Sequence, residues 1–451
     1  MDPNKTQMAP GPDPNRTQMA GVDANRTQAM TAPSPSKGVE AMVIAGRECA
    51  LANSPAREQY LLDLRGAART PGLPMGRTSV NLCLVIDRSG SMEGPPLDYV
   101  KQACAYVVDM LSPDDVLSIV TFEEIVEVLM PPRKVANKEL IKEHISRIVP
   151  GNTTNLYDGL SLAAQQLMST AESGLATRMV VFSDGDPTAG IKDFGALVQH
   201  VGEIKDRGIS CAFLGFGPDY NEELLAGMAK RAGGNYYYIA RPELIPEVFR
   251  AELDKLMTVA GRNLKLRLKT ARWVTLRQIY GHDIQPGQRE VVILLTDLER
   301  GMTLNVALDF EFQNHPLGHY RVAAGSLEYD DAVTGKNETV MLDFVLEFTS
   351  DAARCSVDQD QRVAQCVEVS IASRAVEKTM MGLKSGQITE AMAVAELQKT
   401  QMLLAQDGRG AEAQQVGQAI QDLKSGNRGS VEKTLMGAVV SLDQGKTESD
   451  K

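Results

Sequence analysis

VNLCLVIDRSGSM, residues 80–92, carries the pattern that decides the fold. From Val80 to Ile86 only Asn81 is polar, and nothing alternates. Such a run is a strand covered on both faces, because a half-exposed strand would alternate apolar and polar residues. The run stops at Asp87, and Ser89 and Ser91 follow at alternate positions. In a nearly extended loop alternate side chains point the same way, and Gly90 lets the backbone bend beneath them. One carboxylate and two hydroxyls then converge at the carboxyl end of the strand as an oxygen-only cradle for a cation. Hard oxygen donors suit Mg2+, with Mn2+ next, and do not suit soft-ligand metals.

Working outward, LDYVKQACAYVVDML (97–111) has apolar residues at helical spacing, VLSIVTF (116–122) is a second buried strand and IVEVLM (125–130) an edge strand. KELIKEHISRIV (138–149) and LYDGLSLAAQQLMSTA (156–171) are amphipathic helices. TRMVVFSDG (177–185), ISCAFLGFG (209–217) and NYYYI (235–239) are strands, with helices expected over 193–208, 221–234 and 242–257. This alternation predicts an α/β domain over 78–258, with a mostly parallel sheet and helices on both faces. Open sheets of this kind place their ligands at the carboxyl ends of the strands.

Two more stretches supply oxygen at those ends. GNTTNLYDGL (151–160) sets a hydroxyl-rich loop before a helix, and FSDGDPT (182–188) sets Asp184 at the end of a buried strand. Together with Asp87-Arg88-Ser89-Gly90-Ser91 they resemble the Rossmann-like von Willebrand factor A domain and its metal-ion-dependent adhesion site. The resemblance implies Asp87, Ser89, Ser91, Asp184 and one threonine of the 153–154 pair as metal ligands. Thr154 is favoured because Asn155 after it matches the family's Thr-Asn ending, while Thr153 keeps the choice open. In that family an acidic side chain of a protein partner completes the coordination, so the implied role is binding and not catalysis. Asp158 and Asp186 are expected on a helix surface and in a turn. His144 and His200 fall on helices away from the strand ends, which leaves no general base beside the cluster.

After residue 262 the helices give way to segments such as LKLRLKT, MTLNVALDFEF and ETVMLDFVLEF that alternate apolar and polar residues. They predict an antiparallel β-sandwich over 259–350. Strands in 39–77, within VEAMVIAG and QYLLDLRGA, are expected to complete it, making the α/β domain an insertion. From 351 to 451 the pattern is helical, broken by glycines, and predicts a small bundle packed on the sandwich. The phrases EKTMMG (377–382), QKTQML (398–403) and EKTLMG (432–437) hold Met and Leu at core spacing, around Thr379, Thr400 and Thr434. The layout resembles bacterial and archaeal proteins related to inter-α-trypsin-inhibitor heavy chains.

Composition bounds the rest. The chain has 451 residues and a formal net charge of −11. It has no dense Lys/Arg block, which argues against nucleic acid as the partner. The longest apolar runs are strand-sized, far short of the roughly 20 residues of a spanning helix. Six cysteines include no CxxC pair, and five histidines show no ligand spacing. A secretory signal pattern is missing at the N-terminus, so a reducing, cytoplasmic setting is expected.

Residues 1–38 have no apolar periodicity and are expected to be disordered. Within them MDPNKTQMAPGPDPNRTQMAGVDANRTQAM (1–30) states one phrase three times, with Thr6, Thr17 and Thr27 each between a basic residue and Gln. The same phrase fits the glycosylation sequon at Asn4, Asn15 and Asn25, but that requires secretion. As phosphothreonines these residues would offer strong acceptors to a cationic pocket. The repeat resembles tails bound by forkhead-associated (FHA) domains, which implies a Ser/Thr kinase and an FHA protein as partners. The expected function is therefore a non-enzymatic, metal-dependent interaction scaffold. An envelope adhesin and a subunit of an AAA ATPase assembly are the alternatives.

Overall fold

The computed structural model describes residues 37–67, 79–170, 175–184, 186–216, 221–239, 247, 248, 250, 255, 258–285 and 287–448. The repeated tail lies outside these residues, as does most of the helix expected over 242–257. The strands and helices in chain order are β1 (39–45), β2 (49–51), β3 (56–66), β4 (80–87), α1 (95–110), β5 (116–122), β6 (126–134), α2 (138–146) and α3 (156–169). Then follow β7 (176–183), α4 (194–206), β8 (210–216), α5 (222–232), β9 (236–239), β10 (259–270), β11 (274–279), β12 (290–294), β13 (298–299), β14 (302–312), β15 (318–331) and β16 (337–349). The chain continues through α6 (352–355), α7 (361–384), α8 (390–406), α9 (410–424), α10 (428–443) and β17 (446–448).

The middle of the chain forms a six-stranded sheet in the order β6-β5-β4-β7-β8-β9. All its neighbours pair in parallel except β6, which runs antiparallel at the edge. Every residue of β4 is buried, which accounts for its unbroken apolar run. Leu82, Leu84 and Ile86 pack with Val100, Cys104 and Val107 of α1 and Ile141 of α2. Cys83 and Val85 face the opposite layer, with Leu156, Leu160 and Leu167 of α3, Leu197 and Val201 of α4 and Leu225 of α5. The period-two geometry of the strand sorts one sequence into two cores.

A third core lies between two further sheets. One runs β1-β3-β14-β11 with β17 beside β14; the other runs β12-β10-β15-β16-β2 with β13 beside β10. β3 pairs antiparallel with both β1 and β14, so residues before the α/β unit share a sheet with residues after it. Tyr60, Leu62 and Leu64 face this core with Phe310, Phe344 and Phe348. Leu61 points the other way, against Val363 of α7, so β3 too is covered on both faces.

Helices α7 to α10 enclose their own core around Val376, Leu397, Leu404, Val416 and Leu435. Gly386 and Gly408 follow two of them at φ +70° and +75°, the left-handed conformation that stops a helix without strain at glycine. The bundle touches more than the sandwich: Val440 of α10 joins the core beneath α5 and β9. Met380, Thr379 and Thr400 are buried as core spacing demands, but Met381 and Met402 are 57% and 60% exposed, so the Met-rich phrases turn partly outward. The chain then returns as β17 to pair with β14, a strand that the helical pattern did not foretell. No helix among the described residues is long and apolar enough to cross a membrane.

Between the α/β sheet and the sandwich lies a buried ionic group. Asp297 accepts hydrogen bonds from Lys205 of α4 (3.2 Å) and Ser210 of β8 (2.7 Å), and Arg178 of β7 stands 3.9 Å away. Burial would raise the Asp297 carboxyl, but the two cations and the Ser210 hydroxyl hold it well below the usual carboxylate range.

Candidate metal centre at the carboxyl end of the sheet

From β4 the chain moves to β5 on one side, while β7, on the other side of β4, leads on to β8. The carboxyl ends of β4 and β7 therefore flank a topological switch point, the crevice in which open α/β sheets bind ligands. Asp87 ends β4 and Asp184 follows β7.

Four of the expected residues form one hydrogen-bonded group. The Asp87 carboxylate is fully buried; it accepts the Ser89 N–H (2.9 Å) and the Ser183 hydroxyl (2.6 Å). Ser89 and Ser91 share a hydrogen bond between their hydroxyls (3.1 Å), and Ser91 also hydrogen-bonds the Asp184 carboxylate. Ser91 is exposed, so the group opens to solvent on that side. Burial, and then the charge of Asp184, push the Asp87 carboxyl up to about 7 against the opposing hydrogen bonds of Ser183 and Ser89. Burial likewise raises the Asp184 carboxyl, with Asp186 adding to the effect.

The threonine loop is tied to both neighbours by its backbone. Gly151 N–H donates to the Arg88 carbonyl (2.6 Å) and Gly90 N–H to the Asn152 carbonyl (3.4 Å). Thr154 N–H donates to the Thr188 hydroxyl (2.8 Å), and its carbonyl accepts from Thr188 (3.0 Å) and Ala189 (3.1 Å). Thr154 is 2% exposed, and Asn155 after it caps α3. Asp158 is exposed and takes the Asn155 amide at 2.8 Å, so it braces the cap. Thr6, Thr17 and Thr27 lie outside the described residues.

Three supporting groups escaped sequence reasoning because nothing in their local pattern marks them. Ser183 holds Asp87 from the neighbouring strand. Thr188 pins Thr154 from the loop after β7. Glu123 accepts the Asn152 N–H (3.2 Å) and pairs with Arg88 (3.4 Å), clamping the 151–155 loop to the Asp87 loop. Of the five expected ligands only Asp87, Asp184 and the serines flank recognisable strand ends.

Does this group suit a cation? Asp184 Oδ1 and Thr153 Oγ1 are buried and have no hydrogen-bond partner among the described residues. Unpaired buried oxygens cost free energy, and two carboxylates crowded together raise each other's pKa. A hard divalent cation would answer both, and the carboxylate–hydroxyl donor set is the one Mg2+ or Mn2+ prefers. His144 engages the Leu140 carbonyl, and His200 the Ser161 hydroxyl while stacking on Tyr157. Among the described residues neither histidine hydrogen-bonds a member of the group.

The family model of the von Willebrand factor type A domain matches residues 81–251. Those residues are a domain of this type. An uncharacterised protein of Synechocystis sp. is 28% identical over 274 residues, 58% of this chain and 64% of its own. Human inter-alpha-trypsin inhibitor heavy chain H4 is 26% identical over 228 residues, 45% of this chain and 24% of its own. The chain thus spans less than two thirds of the length of these relatives. A solved von Willebrand factor type A protein from Catenulispora acidiphila superposes with TM-score 0.68 at 18% identity, over 85% of this chain and 90% of its own. The ArnB paralog VWA2 from Sulfolobus acidocaldarius gives 0.61 at 17%, over 88% and 98%. At these identities the likeness concerns the fold, and its coverage takes in residues well beyond 81–251. Domains of this type generally mediate protein–protein interaction, commonly with a divalent metal.

Proposed function

We propose that this protein is a metal-dependent protein-binding scaffold. Asp87, Ser89, Ser91, Asp184 and Thr154 hold Mg2+, or Mn2+, with Thr153 as the alternative to Thr154. The observation that carries the reading is the buried Asp87 beside the half-buried Asp184 at the switch point, with Asp184 Oδ1 unpartnered among the described residues next to an exposed Ser91. When bound, the cation would supply positive charge for an Asp or Glu of a partner. The chain's own residues divide the remaining work. Asp87 and Asp184 carry the charge, the serine and threonine hydroxyls fill neutral positions, and Ser183, Thr188 and Glu123 fix the loops. No catalytic role is assigned to any of them.

Calorimetric titration with Mg2+ or Mn2+ tests the site: saturable binding is expected for the wild type and none for Asp87→Ala. Equal binding by both would refute the assignment. Partners captured on the immobilised wild type should elute with EDTA; retention of the same partners on Asp87→Ala would count equally against it.

The repeated tail supports a second, independent element. Thr6, Thr17 and Thr27, once phosphorylated by a Ser/Thr kinase, would dock an FHA domain in the cytoplasm, and three copies would raise the local concentration of sites. Peptides of residues 12–22 with and without phosphate on Thr17 should bind such a domain differently, and equal affinity would exclude the idea.

A further inference from the structure

Cys49 and Cys355 are 306 positions apart in the chain, yet their sulfurs lie 3.3 Å from each other. Cys49 opens β2, which pairs in parallel with the last residues of β16. Cys355 closes α6, the single turn of helix after β16. The backbone on both sides is held. Asp351 caps α6 through the N–H groups of Ala353 (3.0 Å) and Arg354 (3.4 Å), and Arg354 grips Glu347 of β16 with two hydrogen bonds, 3.0 and 2.8 Å. Arg47 donates to the Val357 carbonyl (3.1 Å), and Asp360 N–H to the Gly46 carbonyl (2.7 Å).

The other cysteines are placed differently. Cys83, Cys104 and Cys211 are fully buried in the cores of the α/β sheet, and Cys366 packs against Ile44, Leu61 and Val363 outside the sandwich. All six thiols are free. Only the 49–355 pair joins two thiols at contact distance in the described hydrogen bonds, with one of them, Cys355, partly open to solvent.

We propose that Cys49 and Cys355 form a reversible disulfide that staples the start of the sandwich to the connector entering the helical bundle. A bond length of about 2.05 Å asks the sulfurs to close by roughly 1.3 Å, within reach of small side-chain rotations. The oxidant is a small disulfide of the oxidised glutathione class. The Cys355 thiolate attacks one of its sulfurs and expels one thiolate, leaving a mixed disulfide. Cys49 then loses its proton and attacks Cys355 Sγ, expelling the second thiolate. Two protein thiols are oxidised to one disulfide, the small disulfide is reduced to two thiols, and the two protons pass to them through solvent. Burial pushes the Cys49 thiol up to about 11, which disfavours it as the thiol that attacks first. Because the closed loop is very long, the bond removes much freedom from the unfolded chain.

The test uses the full chain incubated with oxidised glutathione, alkylated under denaturing conditions, digested and weighed. A cross-linked Cys49–Cys355 peptide pair is expected, together with a thermal midpoint raised by roughly 5 °C and restored by dithiothreitol. Cys355→Ser should abolish both the cross-link and the response of the midpoint. A glutathione adduct that persists on Cys355, cross-links scattered over other cysteines, or no reaction would each overturn the proposal. The deciding measurement is made on the wild type, so poor folding of the variant does not shield it.

Discussion

Ser183, the last residue of β7, donates a 2.6 Å hydrogen bond to Asp87, the last residue of β4. This bond between adjacent strands aims the most buried carboxylate of the candidate centre. Ser183→Ala removes the donor with little change in volume. We expect a stability loss of about 1 kcal/mol and at least a tenfold weaker Mg2+ titration. Chemical denaturation and calorimetry on the same variant check the two effects; unaltered Mg2+ affinity would remove Ser183 from the centre.

The two threonines can be separated. Thr154→Val is expected to lower Mg2+ affinity tenfold or more. Thr153→Val should leave affinity unchanged, as the assignment of the ligand role to Thr154 requires. It should hold or slightly raise the thermal midpoint of the metal-free protein, because the hydroxyl it deletes is buried without a partner among the described residues. The reverse outcome would transfer the ligand role to Thr153.

Gly190 lies in the loop that pins Thr154, at φ +66°, and a Cβ there would stand 2.2 Å from Asn155 Oδ1. Gly190→Ala is therefore strained in its own backbone and displaces the residue next to Thr154. We expect weaker Mg2+ binding with the far-ultraviolet circular dichroism retained. Binding equal to the wild type would show that Asn155 yields without moving the loop.

Asp297→Asn leaves Lys205, whose side chain is 2% exposed, without its carboxylate. Losing one member of a buried ion group costs about 3–5 kcal/mol, so a large fall in denaturation midpoint is expected at pH 7. The folded-state pKa of Asp297 lies below its unfolded value. Its contribution is thus present above the unfolded pKa, near 3.9, and is lost as pH falls through the folded one. The gap between wild type and variant should narrow on acidification below about pH 4; a gap independent of pH would deny Asp297 this role.

The order of strands and helices in the α/β unit was legible in the sequence because each signal is local. A strand buried on both faces is almost wholly apolar, as from Val80 to Ile86, and a helix end shows its glycine, as at Gly233. The Asp87-Ser89-Ser91 group was legible for the same reason, since three side chains within five residues share one loop. Asp184 and the threonine loop were expected at the site from strand-end position and a family's motif order. Ser183 escaped notice because its role depends on which strand lies beside β4, and that pairing joins residues 96 positions apart.

By itself, then, the sequence determined the elements, their alternation and the oxygen-rich loop that ends β4, because backbone periodicity and short-range spacing are properties of neighbouring residues. Tertiary structure alone decided the partners. It set β3 against β14, brought Glu123 and Thr188 to the threonine loop, sealed Asp297 between Lys205 and Arg178, and laid Cys49 beside Cys355. Those contacts arise when distant apolar faces are buried together, and no local pattern in the chain encodes which side chains that burial will bring within reach.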